Sequence, residues 1–120
     1  IVAVCGDGGF LMNVQEMETA VRLGVSPTVL LWEDGGYGLI SWKQEDEFGR
    51  SSPLAFGNPD WLRLAESFGW NGHRVERSRE LLGVLERAIA EDGPSLVVMP
   101  VDYRENPLLT KRLGRIEPRL

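Results

Sequence analysis

Three uninterrupted apolar runs constrain the fold of this chain more than any other feature of its sequence. They are short and rich in β-branched residues, and they lie at residues 1–5, 28–32 and 96–101. Runs of this kind are typical of strands that are buried on both faces. Because apolar residues recur at helical spacing between them, the sequence predicts an α/β fold in which a parallel sheet carries helices on both faces.

Two of the predicted helices carry boundary signals. Over residues 13–23, Asn13 and Glu16 have the spacing of a capping box, although this helix could also begin one turn earlier. Asn58 and Pro59 indicate the start of the next helix, with Asn as the N-cap and Pro in the first helical position. These signals place helices after the first and second strands.

The composition indicates one globular domain over residues 1–120. The net charge of −5 argues against a nucleic-acid surface or an anionic membrane surface, and no apolar run approaches the ~20 residues that span a bilayer. Cys5 is the only cysteine, so we expect no internal disulfide and a reducing, cytoplasmic setting. Because the chain begins at Ile1 inside an apolar run, without Met or a signal peptide, we expect a piece of a longer polypeptide.

Two Asp-Gly-Gly turns directly follow the first two predicted strands. Asp7 lies within Gly6-Asp7-Gly8-Gly9, and Asp34 lies within Asp34-Gly35-Gly36. Ligands of parallel sheets bind beyond the carboxyl ends of the strands, so both turns are candidates for one site. Glycines let the backbone approach a ligand closely, and a helix that follows offers free N–H groups to a phosphate.

A carboxylate beside a phosphate requires a divalent cation between them. Mg²⁺ takes about six oxygen ligands and commonly bridges carboxylates to phosphates, and Asp7, Asp34 and the Gly36 carbonyl would offer three oxygens. A single Asp-Gly pair is usually only a turn. Two of them, each after a buried strand and separated by one helix, predict a metal-bridged phosphate site without naming the phosphate.

The spacing of the two turns resembles the motif of thiamine diphosphate (ThDP) enzymes. Gly6-Asp7-Gly8 is followed after twenty-four residues by Glu33-Asp34, where the family has Gly-Asp-Gly and then Asn-Asn. Further segments are similar to acetolactate synthases, and the last of them to the catabolic type: residues 6–23, 66–69, 74–76 and 100–106. The resemblance covers nearly the whole chain.

The resemblance implies a ThDP diphosphate-binding domain, of which this chain is the C-terminal part, cut on the N-terminal side. It implies a cofactor site made of Gly6, Asp7, Gly8, Gly9, Asp34, Gly36 and Tyr37. Among these, Asp7, Asp34 and the Gly36 carbonyl would hold Mg²⁺, and Gly8 and Gly9 would contact the diphosphate. Glu33 departs from the pattern, because an added carboxylate near a diphosphate needs a partner or an outward orientation.

The resemblance also implies an activity, which is the decarboxylation of pyruvate and carboligation to a second 2-keto acid. The family uses a glutamate from another domain of a partner subunit to activate the cofactor, so no catalytic residue is assigned here and this chain alone is expected to be inactive. The full-length protein would be a cytoplasmic homodimer or homotetramer. Two other readings stay open: a carboligase or decarboxylase like glyoxylate carboligase or oxalyl-CoA decarboxylase, or a non-catalytic phosphate-binding α/β module such as a receiver-like domain.

Several other residues receive plainer interpretations. Tyr37 and Gln44 follow the second turn, where this family often lines its active site, and Trp42 either lines the same pocket or packs. His73 is expected to be a surface histidine, and Cys5 a small buried hydrophobe. Glu16 is either a helix-cap partner or a support for the site. The basic tail residues are expected to be solvated or to face another domain: Lys111, Arg112, Arg115 and Arg119.

Overall fold

The computed structural model describes residues 1–106 and residue 108. Its strands are β1 (Val2–Gly6), β2 (Thr28–Glu33), β3 (Asn71–Arg74) and β4 (Ser95–Pro100). Its helices are α1 (Asp7–Leu11), α2 (Glu16–Leu23), α3 (Gly38–Phe48), α4 (Trp61–Ser67) and α5 (Leu81–Ala90), the last preceded by a 3₁₀ turn at Ser78–Glu80. The strands form one parallel sheet in the order β1-β2-β4-β3, as an α/β fold predicts.

The register of the sheet brings the carboxyl ends of three strands to one edge. Gly6 lies beside Trp32, and Glu33 lies beside Pro100. Both Asp-Gly-Gly turns therefore leave the sheet at the same edge and from neighbouring strands. The prediction of one shared site requires that β1 and β2 be parallel neighbours in the sheet, and they are.

Helices cover the two faces of the sheet unequally. On one face, Met17 of α2 and Trp61 and Ala65 of α4 pack on strand residues that include Leu31 and Leu96. The opposite face is covered by α5, whose buried residues are Val84 and Ala88, packed on Leu30, Val75 and Val97. Consecutive strand residues alternate between the two clusters, as a pleated strand dictates. Full burial of each large aliphatic side chain contributes ~1.5–3 kcal/mol, so β2 and β4 are the stable centre of the fold.

The first apolar run forms a strand, but the prediction that this strand is buried on both faces is wrong in the structure described. β1 is an edge strand, and Val2 and Val4 are 46% and 56% exposed. Only Cys5 of this strand packs against the core cluster; it is half-buried, and burial raises the pKa of its thiol. The cover that α5 gives to β2 and β4 does not extend to this end of the sheet.

The helix boundaries differ from the predicted ones. α2 begins at Glu16, after a separate turn of helix in α1, and no side chain caps it, so the capping box is absent. α4 begins at Trp61, because Asp60 is its N-cap and accepts a hydrogen bond from the Arg63 N–H at 3.2 Å. The start predicted at Asn58 is therefore wrong, and the Asn58 amide bonds elsewhere.

Within the described residues, none of the helices has both the length and the apolar character that crossing a membrane demands.

Candidate functional site

The carboxylate of Asp7 is the centre of the site. Asp7 is the first residue of α1, directly after β1, and it is only 1% exposed. Its Oδ1 accepts the Gly8 N–H at 2.8 Å. Its Oδ2 accepts the N–H groups of Asp34 at 3.1 Å and Gly35 at 2.8 Å, and the Asn58 side-chain amide at 2.7 Å. One buried carboxylate thus ties together the two Asp-Gly-Gly turns and the segment before α4.

The two acidic side chains of the site perturb each other. Burial by itself raises the pKa of Asp7, but the hydrogen bonds donated by Asn58, Gly35, Gly8 and Asp34 outweigh it, so the pKa lies below its ordinary value. The pKa of Asp34 is raised, first by burial and then by the charge of Asp7. In the part of the chain that the structure describes, no Lys or Arg forms an ion pair with either carboxylate. A cation between them would relieve the repulsion.

A short antiparallel bridge orients the backbone of Gly36. The N–H of Tyr37 and the carbonyl of Gly35 bond to residues 54–56, at 3.1 Å and 2.9 Å. In such a pair the flanking residues make both bonds, and the N–H and C=O of the central residue point to the opposite side. The N–H and the carbonyl of Gly36 therefore both point away from residues 54–56.

The donor set fits a hard divalent cation. Among residues 1–106, no three side chains of His, Cys, Asp or Glu gather as a metal site, so a metal held by Asp7 and Asp34 needs a backbone oxygen as well. Gly36 lines the same cavity as both aspartates, and its carbonyl points away from residues 54–56. Two carboxylates and one carbonyl are ligands that Mg²⁺ accepts, with its remaining positions left for phosphate oxygens and water.

All seven residues predicted to contact the cofactor line one cavity of about 310 Å³. They are Gly6, Asp7, Gly8, Gly9, Asp34, Gly36 and Tyr37. Sequence reasoning assigned no role to Tyr103, which lines the same cavity and carries a pKa raised by burial and by the charges of Asp34 and Asp7. Its position in the Pro-Val-Asp-Tyr segment was the only signal that could have identified it.

The glycines of the first turn have different surroundings. A Cβ built on Gly8 would lie 2.8 Å from Cε1 of Tyr37, whereas nothing lies within 4 Å of a Cβ built on Gly6 or Gly9. A Cβ on Gly38, in the first turn of α3, would collide with the Asp34 carboxylate. Gly8 and Gly38 are therefore required by close packing inside the protein, and Gly6 and Gly9 border open space.

The departure at Glu33 is accommodated away from the cavity. Glu33 Oε1 accepts the Trp61 indole N–H at 2.9 Å, and Oε2 accepts the Arg74 guanidinium at 2.7 Å. Its carboxylate thus has both a partner and an orientation toward α4 and β3. Glu33 therefore joins α4 and β3 to the end of β2, and it does not line the cavity.

The remaining predicted residues lie outside the cofactor cavity. Trp42 lines an adjoining cavity of about 580 Å³ together with Asp34 and Tyr103, while Gln44 accepts hydrogen bonds from the Ser52 N–H and hydroxyl. His73 pairs with Glu91 at 2.9 Å, and its side chain is only 14% exposed, so it is more covered than predicted. Glu16 does not line the cavity.

The basic residues at positions 111, 112, 115 and 119 lie outside the described residues.

Asn58 is the site residue that sequence reasoning assigned to the wrong role. Its amide donates to Asp7 across fifty-one residues of sequence, and its own Oδ1 is buried without a partner in the described part of the chain. The one available signal was that Asp60, two residues later, is an equally good N-cap. A helix capped by Asp60 frees Asn58 for another contact.

Comparisons with known proteins support the fold and the resemblance that the sequence carries. The protein-family model described as "Thiamine pyrophosphate enzyme, C-terminal TPP binding domain" matches residues 1–99. The catabolic acetolactate synthase of Raoultella terrigena is 42% identical over 113 residues, which are 94% of this chain and 20% of that protein. The acetolactate synthase of Bacillus subtilis (strain 168) is 42% identical over 106 residues, 88% of this chain and 19% of that protein.

A solved structure shares the fold. The thiamine diphosphate-dependent 4-hydroxybenzoylformate decarboxylase of Rhodococcus jostii RHA1 aligns with a TM-score of 0.78 and 21% identity, over 87% of this chain and 20% of that one. The chain spans about one fifth of the length of the curated relatives it matches. The predicted ThDP-binding fold is confirmed, and the chain belongs to the family of C-terminal TPP-binding domains of thiamine pyrophosphate enzymes.

Proposed function

We propose that this chain is the diphosphate- and metal-binding part of an acetolactate synthase. Asp7, Asp34 and the Gly36 carbonyl would hold Mg²⁺, which would supply the positive charge that binding of the ThDP diphosphate needs. The observation that carries the proposal is a pair of carboxylates at the ends of neighbouring strands, facing one cavity with no basic partner among the described residues. A divalent cation supplies the missing positive charge and joins two anionic groups that would otherwise repel.

The first turn binds the diphosphate through its backbone. Gly8 and Gly9 line the cavity next to Asp7, and the open space beside Gly6 and Gly9 leaves room for phosphate oxygens near their backbones. Tyr37 covers Gly8 from one side and is itself packed on Phe56, with ring centroids 5.1 Å apart. The ring therefore forms a fixed wall of the cofactor site.

The chemistry belongs to the cofactor, and the role of this chain is to hold it. Bound ThDP would supply the carbon nucleophile and electron sink that decarboxylation of a 2-keto acid needs. We assign no catalytic residue among the described residues, because binding and orientation account for Asp7, Asp34 and Gly36. We propose that the activating glutamate would come from another domain of a partner subunit, so the full-length protein would work as a homodimer or homotetramer and the isolated chain would be inactive. We also propose a cytoplasmic location.

The identity of the substrate rests on the relatives. The two proteins that are 42% identical to this chain are both acetolactate synthases, which supports pyruvate as the first 2-keto acid and carboligation as the outcome. Product analysis of the full-length protein tests this. Incubation with pyruvate, ThDP and Mg²⁺ is expected to release CO₂ and form acetolactate, and the isolated chain under the same conditions is expected to form none.

Two outcomes would contradict the proposal. Release of CO₂ from another 2-keto acid, with no acetolactate from pyruvate, would assign the protein to a different decarboxylase or carboligase. Turnover by the isolated chain would show that the activating group lies within it. Glu91→Gln is a suitable control variant, because Glu91 pairs with His73 on the exposed side of the fold and does not line the cavity.

A further inference from the structure

The segment before α4, residues 54–58, is bound to the second Asp-Gly-Gly turn. Its backbone pairs with Gly35 and Tyr37, and its last residue, Asn58, reaches across to Asp7. The segment therefore contacts both turns that supply the proposed metal ligands. Among the described residues, its hydrogen bond to the first turn is made by one side chain, that of Asn58.

The hydrogen bonds of Asp7 are divided unequally between its two oxygens. Oδ2 accepts three N–H groups, from Asp34, Gly35 and Asn58, and the bond from Asn58 is the shortest of them at 2.7 Å. A carboxylate carries about four lone-pair sites on its two oxygens, so three donors fill Oδ2. Among the residues that the structure describes, Oδ1 accepts only the N–H of the adjacent Gly8. Of the two oxygens of Asp7, Oδ1 is therefore the one that can bind a metal.

The amide of Asn58 is held in one orientation at a cost. Its Oδ1 is buried and has no hydrogen-bond partner in the described part of the chain, which is an unfavourable state for a polar atom. Rotating the amide by half a turn would point that oxygen at the carboxylate of Asp7, which is worse. The unpartnered oxygen is thus the consequence of keeping the Nδ2 donor on Asp7.

We propose that Asn58 is a positioning residue for the metal site: its amide fixes the Asp7 carboxylate so that Oδ1 stays directed at the cation. The inference rests on the proposed function, because it assumes that Asp7 binds a divalent metal. Asn58 itself contacts neither metal nor cofactor. Without its amide, Oδ2 keeps two backbone donors but loses the one side-chain donor that it has within the described residues.

The test is the affinity of the full-length protein for Mn²⁺, used alone as a spectroscopic substitute for Mg²⁺. Electron paramagnetic resonance measures free Mn²⁺ directly and reports binding without turnover. Asn58→Ala is expected to raise the Mn²⁺ dissociation constant at least tenfold. Asn71→Ala is the matched control, because the Asn71 amide also makes one hydrogen bond, to the Asp92 carbonyl at 2.9 Å, in a turn that does not line the cavity. Its dissociation constant is expected to stay within twofold.

Asn58→Ser is a second variant that also loses the amide and keeps a polar side chain. At least tenfold weakening in Asn58→Ala, or in Asn58→Ser if the Ala variant does not fold, with Asn71→Ala unchanged, supports the inference. Unchanged affinity in Asn58→Ala, equal weakening in Asn71→Ala, or failure of both Asn58 variants to fold with metal present would overturn it. If the unmodified protein binds no Mn²⁺ even with ThDP, the proposed function fails as well, and this result is distinct from the others.

Discussion

Replacing Glu33 with Ala is expected to destabilise the contact between β2, α4 and β3 while leaving cofactor binding intact. Glu33 accepts the Trp61 indole N–H at 2.9 Å and the Arg74 guanidinium at 2.7 Å. Trp61 is 2% exposed, so its N–H depends on Glu33 as its acceptor in a covered part of the fold. Glu33 lines none of the cofactor cavity.

The two lost contacts differ in the free energy that each contributes. A buried indole N–H left without an acceptor costs ~1–3 kcal/mol. The Arg74 side chain is 35% exposed, so solvent screening limits the ion pair to ~0.2–1 kcal/mol. Together they predict a loss of ~2 kcal/mol for Glu33→Ala, mostly from Trp61. Glu33→Gln keeps an oxygen acceptor for the indole and is expected to lose less than ~1 kcal/mol.

Amide hydrogen exchange of the full-length protein measures the loss of local stability in Glu33→Ala, without requiring the whole protein to unfold in one step. A loss of ~2 kcal/mol corresponds to about 30-fold faster exchange in α4 and β3, since ~1.4 kcal/mol is tenfold. The dissociation constant for ThDP with Mg²⁺ is expected to change less than threefold. Unchanged exchange in α4 and β3 together with tenfold weaker ThDP binding would place Glu33 in the cofactor site and refute the reasoning.

Two further predictions concern the cavity. Gly8→Ala places a methyl group 2.8 Å from Tyr37 Cε1 and must displace that ring, so ThDP binding by calorimetry should weaken about tenfold. Gly83→Ala is the control, because its methyl group meets nothing within 4 Å and Gly83 does not line the cavity, and it should leave ThDP binding unchanged; equal effects would contradict the packing argument. Metal affinity should fall on acidification from pH ~7 to ~4, because both carboxylates must be ionised and the raised pKa of Asp34 makes it protonate first. Without metal, the two carboxylates have opposite effects on the pH dependence of the folding stability. Asp7, whose pKa is lowered, contributes stability above its unfolded pKa, and this contribution is lost as pH falls through the folded value. Asp34, whose pKa is raised, contributes stability below its unfolded pKa, and this contribution is lost as pH rises through the folded value. Mn²⁺ titrations and thermal unfolding across this range measure the two effects, and a pH-independent affinity would exclude Asp34 as a ligand.

The parts of the site that sequence predicts are those set by strand ends. Asp7 and Asp34 each follow a strand directly, and parallel strands end at one edge of a sheet, so their convergence requires only that β1 and β2 lie close. The structure makes them neighbours. Local patterns suffice here because the chain has no freedom to place a residue far from the strand that precedes it.

The parts that sequence does not predict are set by long-range contacts. The stretch Asn58-Pro59-Asp60 offers two possible N-caps, and the contact of Asn58 with Asp7 decides between them. The sequence alone leaves the Glu33 carboxylate without a partner, and only the fold shows that Arg74 lies beside it. The exposed face of β1 likewise depends on which helix reaches that end of the sheet, and no local pattern specifies this.

The most direct test of the metal-bridged site is a calorimetric titration of the full-length protein with ThDP, with Mg²⁺ present and after its removal by a chelator. The account predicts binding that requires Mg²⁺ and is abolished in Asp7→Ala. Asp92→Ala, an aspartate in the turn before β4 that does not line the cavity, is expected to bind as the unmodified protein does. ThDP binding that persists without a divalent cation, or that survives Asp7→Ala, would contradict the central claim.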